Sequence, residues 1–162
     1  MTQATRAGIG YDIHRLVEGR RLVLAGIEIP FEKGLLGHSD SDVLTHAVCD
    51  ALLGAAAAGD IGTHFPDSDP RFAGAASLDL LAHVVEIIKA RGLKVASLDA
   101  VVLAERPRLA PYIEAMREKL AAVLQVEIGL VSVKAKTNEG LDAVGRGEAM
   151  AAHAVVLMVS GF

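Results

Sequence analysis

The stretch DVLTHAVCDALLG at residues 42–54 constrains the fold most, because its apolar residues recur with the period of an α-helix. Apolar side chains stand at positions 43, 44, 47, 48, 51 and 52. This spacing predicts a helix over 42–54, with Ser39 or Ser41 as its N-cap and Gly54 near its end. Such a helix buries one face, so the chain must supply a second layer that covers it.

The rest of the chain supplies that layer, because strand patterns alternate with two further helix patterns. Strands are predicted at 8–14, 20–30, 93–105, 130–140 and 151–162, and helices at 77–92, capped by Ser77 and stopped by Gly92, and at 112–125. A polar loop at 58–76 and a turn at 106–111 separate some of these elements. The order β-β-α-α-β-α-β-β predicts an α+β fold in one domain, residues 1–162, with a small mixed β-sheet and helices packed on one face.

The composition predicts an oligomer. Hydrophobic residues make up 52% of the chain but aromatic residues only 4%, so the apolar content consists mostly of small and aliphatic side chains. A domain this apolar has more apolar surface than one core can hide, and the uncovered face of the sheet would need a partner.

Other bulk properties exclude several classes of protein. No apolar run approaches the roughly 18 residues of a membrane-spanning helix, and MTQATRAG at the N-terminus lacks the apolar segment of a signal peptide. We therefore expect a cytoplasmic protein with no membrane partner. The formal net charge of −4, without a run of Lys and Arg, argues against nucleic-acid binding. The single cysteine, Cys49, excludes an internal disulfide and a Cys-rich zinc motif.

Two groups of residues could carry metal chemistry. Asp12 and His14 lie two apart on an extended segment, so both side chains point to the same side. Asp42, His46 and Asp50 share one face of the predicted helix, where either aspartate could orient His46. Joining His46 to Asp12 and His14 gives three ligands with a fourth position open, which is typical of catalytic zinc. The alternatives are a polar stripe on a half-buried helix and ordinary helix capping.

A resemblance in three segments of the chain favours the metal site over these alternatives. GYDIH (10–14), EKGLLGHSDSDVLTHAVCDALLGAAAAGDIGTHFPDSDP (32–70) and VKAKTNEGLDAVGRGE (133–148) resemble the 2-C-methyl-D-erythritol 2,4-cyclodiphosphate synthase family of the non-mevalonate isoprenoid pathway, in matching order and spacing. The resemblance implies a phosphorus–oxygen lyase that cyclises 4-diphosphocytidyl-2-C-methyl-D-erythritol 2-phosphate and releases CMP. It also implies a homotrimer with active sites between subunits.

The same resemblance implies roles for particular residues. Asp12, His14 and His46 would bind one Zn²⁺ per subunit, and Glu139 would bind a second ion, Mg²⁺ or Mn²⁺, through the substrate phosphates. His38 and Thr137 would stabilise the transition state. The implied substrate-binding residues are Asp12, His14, His38, Ser39, Asp60, Ile61, Gly62, Phe65, Pro66, Asp67, Ser68, Asp69, Ala104, Glu105, Arg106, Pro107, Arg108, Leu109, Ala110, Lys136, Thr137, Asn138, Glu139 and Arg146.

The chain departs from the family pattern in two places. Gly140-Leu141-Asp142-Ala143 stands where relatives often have Lys-Leu-Gly-aromatic, and this change argues against isoprenoid phosphates binding at the trimer axis. Ala76 replaces an acidic residue that is common after the loop. Arg146 and Glu148 would lie near the axis, or form a structural salt bridge.

The competing functions are a zinc phosphohydrolase and a non-catalytic trimer that binds nucleotides or isoprenoid phosphates. His64, His83 and His153 match no ligand position.

Overall fold

A computed structural model describes residues 4–160 and has an α+β fold. The strands are β1 (Thr5–Glu18), β2 (Leu22–Leu24), β3 (Ile27–Ile29), β4 (Lys33–Leu35), β5 (Leu93–Leu103), β6 (Val131–Lys136) and β7 (Ala149–Ser160). The α-helices are α1 (Val43–Ala55), α2 (Ile61–His64), α3 (Ser77–Ala90), α4 (Ile113–Leu124) and α5 (Asp142–Gly145). Among the described residues, no helix is both long and apolar enough to cross a bilayer.

Five strands form one mixed sheet in the order β4-β1-β7-β5-β6. Only β5 and β6 run parallel, while the other neighbours are antiparallel, and β1 pairs with β7 over eleven positions from Thr5 to Arg15. The helices α1, α3 and α4 bury their apolar faces in one core together with the sheet. The predicted mixed sheet with helices on one face is therefore confirmed for the long elements.

The opposite face of the sheet carries exposed apolar side chains. Ile9, Tyr11 and Ile13 alternate along β1 with Gly8 and Gly10, which face α1. Val155 and Leu157 continue the exposed face on β7. The short helix α5 packs at one end of β7 through a separate apolar cluster, so not every helix lies on the same face.

Several local predictions were wrong. The predicted strand at 20–30 is a hairpin of β2 and β3, because Ala25 and Gly26 both adopt positive φ and turn the chain back. The extended segment at 8–14 is part of the longer β1, and β4 was not predicted. The strand predicted over 130–140 ends at Lys136, and the turn that follows leads into the unpredicted helix α5. Residues 161–162 of the last predicted strand lie outside the described residues.

The predicted helix caps also need correction. Asp42, and neither Ser39 nor Ser41, is the N-cap of α1, because its carboxylate accepts the backbone N–H of Thr45 at 3.0 Å. Ala76 is the N-cap of α3 and has no side chain that can cap. The predicted cap Ser77 is instead the first helical residue, and its side chain points into the site described below.

Candidate metal centre and substrate cavities

Asp12, His14 and His46 converge on one point where β1 packs against α1. The Oδ2 atom of Asp12 lies 2.9 Å from Nε2 of His14 and 3.0 Å from Nδ1 of His46. The two ring nitrogens are 3.4 Å apart. Within residues 4–160, these three form the one group of His, Cys, Asp and Glu with ligand atoms close enough to hold a metal ion.

The spacing of these three atoms fits a metal ion. A tetrahedral zinc ion with bonds of about 2.0–2.2 Å separates its ligand atoms by roughly 3.3–3.6 Å. The observed separations of 2.9, 3.0 and 3.4 Å need little expansion to reach that geometry. One carboxylate and two imidazoles are a donor set that zinc accepts, and a fourth position faces the cavity.

Electrostatics within the cluster couple the carboxylate to the two rings. Burial alone would raise the pKa of Asp12, but the adjacent rings of His14 and His46 lower that pKa to about 2. Burial alone would lower the pKa of His14, yet the hydrogen bond and charge of Asp12 raise it above 6.5. Asp12 is therefore ionised at neutral pH and attracts either a proton or a cation.

The loop that leads into α1 closes one side of the cluster. The Nδ1 atom of His14 lies 2.9 Å from the carbonyl oxygen of Leu36, so Nδ1 donates and Nε2 faces the cluster. A Cβ on Gly37 would lie 3.0 Å from the His14 ring, so glycine permits this close approach. The guanidinium of Arg20 donates to the carbonyls of Leu35 at 2.6 Å and Ser39 at 3.0 Å and holds the loop in place.

The two aspartates expected to orient His46 do not contact it. The Asp42 carboxylate accepts from Thr45 and from the backbone N–H of Gly26, and burial raises its pKa. Asp50 accepts the backbone N–H of Ile61 at 2.8 Å. The Nε2 atom of His46 lies instead 2.8 Å from the hydroxyl of Ser77 and 3.2 Å from that of Ser39. Sequence reasoning missed Ser77 as a contact of His46, because 31 residues separate the two and no spacing rule links them.

The metal cluster lies at the wall of a cavity of about 380 Å³. Ten residues predicted for metal or substrate line it: Asp12, His14, His38, Ser39, His46, Ile61, Gly62, Phe65, Pro66 and Asp67. Gly37, Phe72 and Leu80 also line it and were not predicted. The Nε2 atom of His38 is buried and has no hydrogen-bond partner among the described residues, which leaves it free to bind a ligand.

Three residues predicted for this cavity do not line it. Asp60 caps α2 by accepting from the backbone and hydroxyl of Thr63, which lowers its pKa. Asp69 forms an ion pair with Arg71 at 2.6 Å. Ser68 lies between them on the same exposed loop. The carboxylates of Asp60 and Asp69 therefore have structural partners in this chain.

A second cavity, of about 610 Å³, brings together the other predicted group. Its lining includes all of Ala104, Glu105, Arg106, Pro107, Arg108, Leu109, Ala110, Lys136 and Thr137, and in addition Phe31 and Ala135. The parallel pairing of β5 with β6 explains this, because both predicted segments follow the carboxyl ends of neighbouring strands. None of these residues lines the metal cavity.

The turn after β6 is held by two carboxylates. Glu105 accepts the backbone N–H of Asn138 at 2.7 Å, and Asp142 accepts from the Asn138 side chain at 3.0 Å. Glu139 stands in this turn with positive φ and lines neither cavity. The unusual residue Asp142 therefore has a local structural role. Arg146 forms an ion pair with Glu148 at 3.0 Å, as in the structural alternative.

Fold and cluster together define a class: an α+β protein with a carboxylate–bis-imidazole cluster that could hold a metal ion, between a sheet strand and the helix that covers it. The family model described as the YgbB family matches residues 5–159. The chain therefore belongs to the YgbB family.

Individual relatives agree over almost the whole length. The 2-C-methyl-D-erythritol 2,4-cyclodiphosphate synthase of Trichlorobacter lovleyi is 58% identical over 95% of this chain and 98% of its own. A solved structure of a synthase of that name, in its CDP-bound form, is 41% identical over 94% of this chain and 99% of its own, with a TM-score of 0.88. The bifunctional IspDF from Campylobacter jejuni is 38% identical with a TM-score of 0.95; 99% of this chain matches 43% of that longer protein.

Proposed function

We propose that the chain is a 2-C-methyl-D-erythritol 2,4-cyclodiphosphate synthase of the non-mevalonate pathway. It would convert 4-diphosphocytidyl-2-C-methyl-D-erythritol 2-phosphate to the cyclic diphosphate and CMP, as a cytoplasmic phosphorus–oxygen lyase with one catalytic domain. The observation that carries the proposal is the convergence of Asp12, His14 and His46 in one cavity of a YgbB-family chain.

The reaction needs no protein nucleophile. An oxygen of the substrate's own 2-phosphate attacks the β-phosphorus, a new P–O bond forms, and the bond from the β-phosphorus to the bridging oxygen breaks. That bridging oxygen leaves with CMP. The main barrier is the approach of one anionic phosphate to another, together with the entropy of folding the substrate back on itself. The protein must therefore neutralise charge and fix the geometry.

Two bound cations would neutralise charge on the diphosphate. Asp12, His14 and His46 would hold Zn²⁺ with the fourth position open to a phosphate oxygen. Glu139 would hold Mg²⁺ or Mn²⁺ together with the phosphates, since such hard ions commonly bind by one carboxylate plus substrate oxygens. Bound cations supply electrostatic stabilisation of the charge that develops on the phosphate oxygens.

The two cavities would divide the substrate between them. The metal cavity, with His38, Ser39 and the 60–69 loop, suits the methylerythritol phosphate, and the buried, unpaired Nε2 of His38 suits a transition-state contact. The second cavity, at 104–110 and 136–137, would hold the cytidine, with Lys136, Thr137 and Asn138 near its phosphates. A solved relative described in a CDP-bound form supports a nucleotide subsite in this fold.

A homotrimer would join these cavities across subunits. The exposed apolar face formed by β1 and β7 provides a surface for association. Because the two cavities of one chain share no lining residue, one subunit would supply the metal side of each active site and its neighbour the cytidine side.

Phosphorus NMR with the substrate, Zn²⁺ and Mg²⁺ tests the proposal directly. Cyclic diphosphate and CMP should appear together. CMP with a methylerythritol that carries two separate monophosphates would instead identify a hydrolase, and unchanged substrate with a folded, zinc-loaded protein would identify a binding protein.

The matched variants are His46→Ala and His83→Ala. His46→Ala should lose zinc and turnover while remaining folded, because it removes one of three ligands. His83 lies on the exposed side of α3, where its ring bonds the carbonyl of Asp79, so its loss should leave both intact. Full activity in His46→Ala would refute the metal assignment.

A further inference from the structure

The two ring nitrogens of His46 contact different groups, and these contacts determine which nitrogen carries the proton. Its Nδ1 faces the cluster, 3.0 Å from Oδ2 of Asp12. Its Nε2 lies 2.8 Å from the hydroxyl of Ser77. To bind a metal through Nδ1, the neutral ring must carry its proton on Nε2. A hydroxyl can either donate or accept, so the contact with Ser77 alone leaves the position of that proton open.

Asp40 settles the direction of this hydrogen bond. Its Oδ2 accepts the backbone N–H of Ser77 at 3.0 Å, and its Oδ1 accepts the backbone N–H of Asp42 at 3.1 Å. Backbone N–H groups can only donate, so both carboxylate oxygens act as acceptors. The hydroxyl of Ser77 also makes a short hydrogen bond to Oδ1 of Asp40. The one hydroxyl proton of Ser77 therefore points to Asp40, and the Ser77 oxygen is left to accept from His46.

At His14, no third residue is needed to define the position of the ring proton. The Nδ1 of His14 faces the carbonyl of Leu36, and a carbonyl can only accept, so the proton position follows from one contact. At His46, by contrast, the Asp12 carboxylate draws a proton toward Nδ1, which is the wrong side for metal binding. A competing acceptor at Nε2 is needed to oppose that attraction.

We propose that Ser77, oriented by Asp40, is a positioning residue that holds the proton of His46 on Nε2 and leaves the Nδ1 lone pair for the metal. The inference rests on the metal site within the proposed function, and it does not depend on the cyclisation itself. Ser77 is fully buried at the start of α3. This contact therefore couples α3, which carries no metal ligand, to the ligand on α1.

The test compares Ser77→Ala with Ser39→Ala and with Ser132→Ala on the exposed edge strand β6. Zinc affinity is measured by competition with a chromophoric chelator. Ser77→Ala should bind zinc about 10- to 100-fold more weakly, as is typical when the hydrogen-bond partner of a ligating histidine is lost. Ser39 lies farther from Nε2, at 3.2 Å, and its oxygen already accepts from the backbone N–H of Ser41, so Ser39→Ala should lose less. Ser132→Ala should match the unmodified protein.

Long-range ¹H–¹⁵N NMR of ¹⁵N-histidine-labelled protein supplies a readout that a purely structural role would not change. The metal-free protein at neutral to mildly alkaline pH should show the His46 proton on Nε2, and Ser77→Ala should shift it toward Nδ1. A proton already on Nδ1 in the unmodified protein would overturn the proposal. So would unchanged zinc affinity in Ser77→Ala, or a larger loss in Ser39→Ala.

One further variant and the choice of readouts keep these outcomes separable. If Ser77→Ala does not fold, Ser77→Cys replaces it, because cysteine is similar in size but a weaker acceptor. Zinc affinity should then fall by a smaller factor. Neither readout uses the substrate. A protein that binds zinc and shows the expected proton position, yet forms no cyclic product, would contradict the proposed function and leave this inference standing.

Discussion

At the scale of single residues, the cluster uses two histidines in opposite ring orientations. His14 presents Nε2 and His46 presents Nδ1 to the same oxygen of Asp12. Each ring is fixed through its other nitrogen, one by the carbonyl of Leu36 and one by the hydroxyl of Ser77. The geometry of the cluster therefore depends on groups outside its three members.

The first prediction concerns the pH dependence of the metal-free protein. Because the folded-state pKa of His14 is raised above 6.5, protonated His14 contributes stability that is fully present below that value and lost as the pH rises through the raised pKa. Asp12, with a pKa of about 2, stays charged throughout this range. His14→Gln should therefore lose more free energy of unfolding, relative to the unmodified protein, at about pH 5.5 than at about pH 9.

Urea unfolding in the presence of a chelator measures this difference. If the difference in free energy of unfolding between the two proteins stays constant with pH, the charge of His14 does not stabilise the folded protein. Replacing the chelator with zinc should reverse the pH trend, since protons compete with zinc for His14 and zinc therefore stabilises the unmodified protein more as the pH rises.

The sequence predicted that Asp12, His14 and His46 come together, but not which groups orient the two rings. The spacing of Asp12 and His14 on a strand and of His46 on a helix was readable, because local periodicity decides which side chains share a face. The contacts of Leu36 and Ser77 are set by how a loop and a third helix pack against that face. Asp42 and Asp50 had suitable spacing for His46, but backbone N–H groups occupy their carboxylates.

At the scale of elements, the site depends on how closely β1 approaches α1. A Cβ on Gly10 would lie 1.8 Å from the carbonyl oxygen of Ala47, and one on Gly8 would lie 2.0 Å from that of Ala51. Only glycine permits this contact between strand and helix backbone. The short distance between the two elements brings His46 on α1 within reach of Asp12 and His14 on β1.

Gly10→Ala should therefore damage the metal site without touching a ligand. The added methyl group must push α1 away from β1, at a cost of about 1–3 kcal/mol in stability, and zinc affinity should fall about tenfold or more because the ligands separate. Gly129→Ala is the matched control, since a Cβ there meets nothing within 4 Å. Chelator competition and thermal unfolding measure both effects, and equal zinc affinity in the two variants would contradict this account.

The long elements were predictable and the short ones were not. The helices α1, α3 and α4 and the strands β5, β6 and β7 follow from periodic apolar patterns that persist over several turns or pleats. The hairpin of β2 and β3 reads as one apolar run, because its turn has Ala25 at positive φ in place of the usual Asn or Gly signal. Pairing with β7 along its length extends β1 beyond the segment 8–14, and such pairing is not visible in local sequence.

At the scale of the whole molecule, the sheet leaves one face that a single chain does not cover. Ile9 is 71% exposed and Tyr11 50% on β1, and Val155 is 47% exposed on the neighbouring β7. These side chains form a continuous apolar surface, since β1 and β7 pair directly and Ile9 lies opposite Val155. Composition predicted an uncovered apolar face of this kind. The sequence did not show which residues form it, because that depends on the register in which β1 pairs with β7.

If the chain forms the proposed homotrimer, mixed trimers can reveal whether active sites form between subunits. Two differently tagged chains, His46→Ala and Lys136→Ala, are co-expressed, and trimers with both tags are isolated. Each variant alone should be inactive, because it lacks either the metal side or the cytidine side of every site. If each site takes its metal side from one subunit and its cytidine side from the next, every mixed trimer contains one intact site, so about one third of the activity of the unmodified protein should return. Sites built within single chains would give no recovery, because every chain carries one of the two defects.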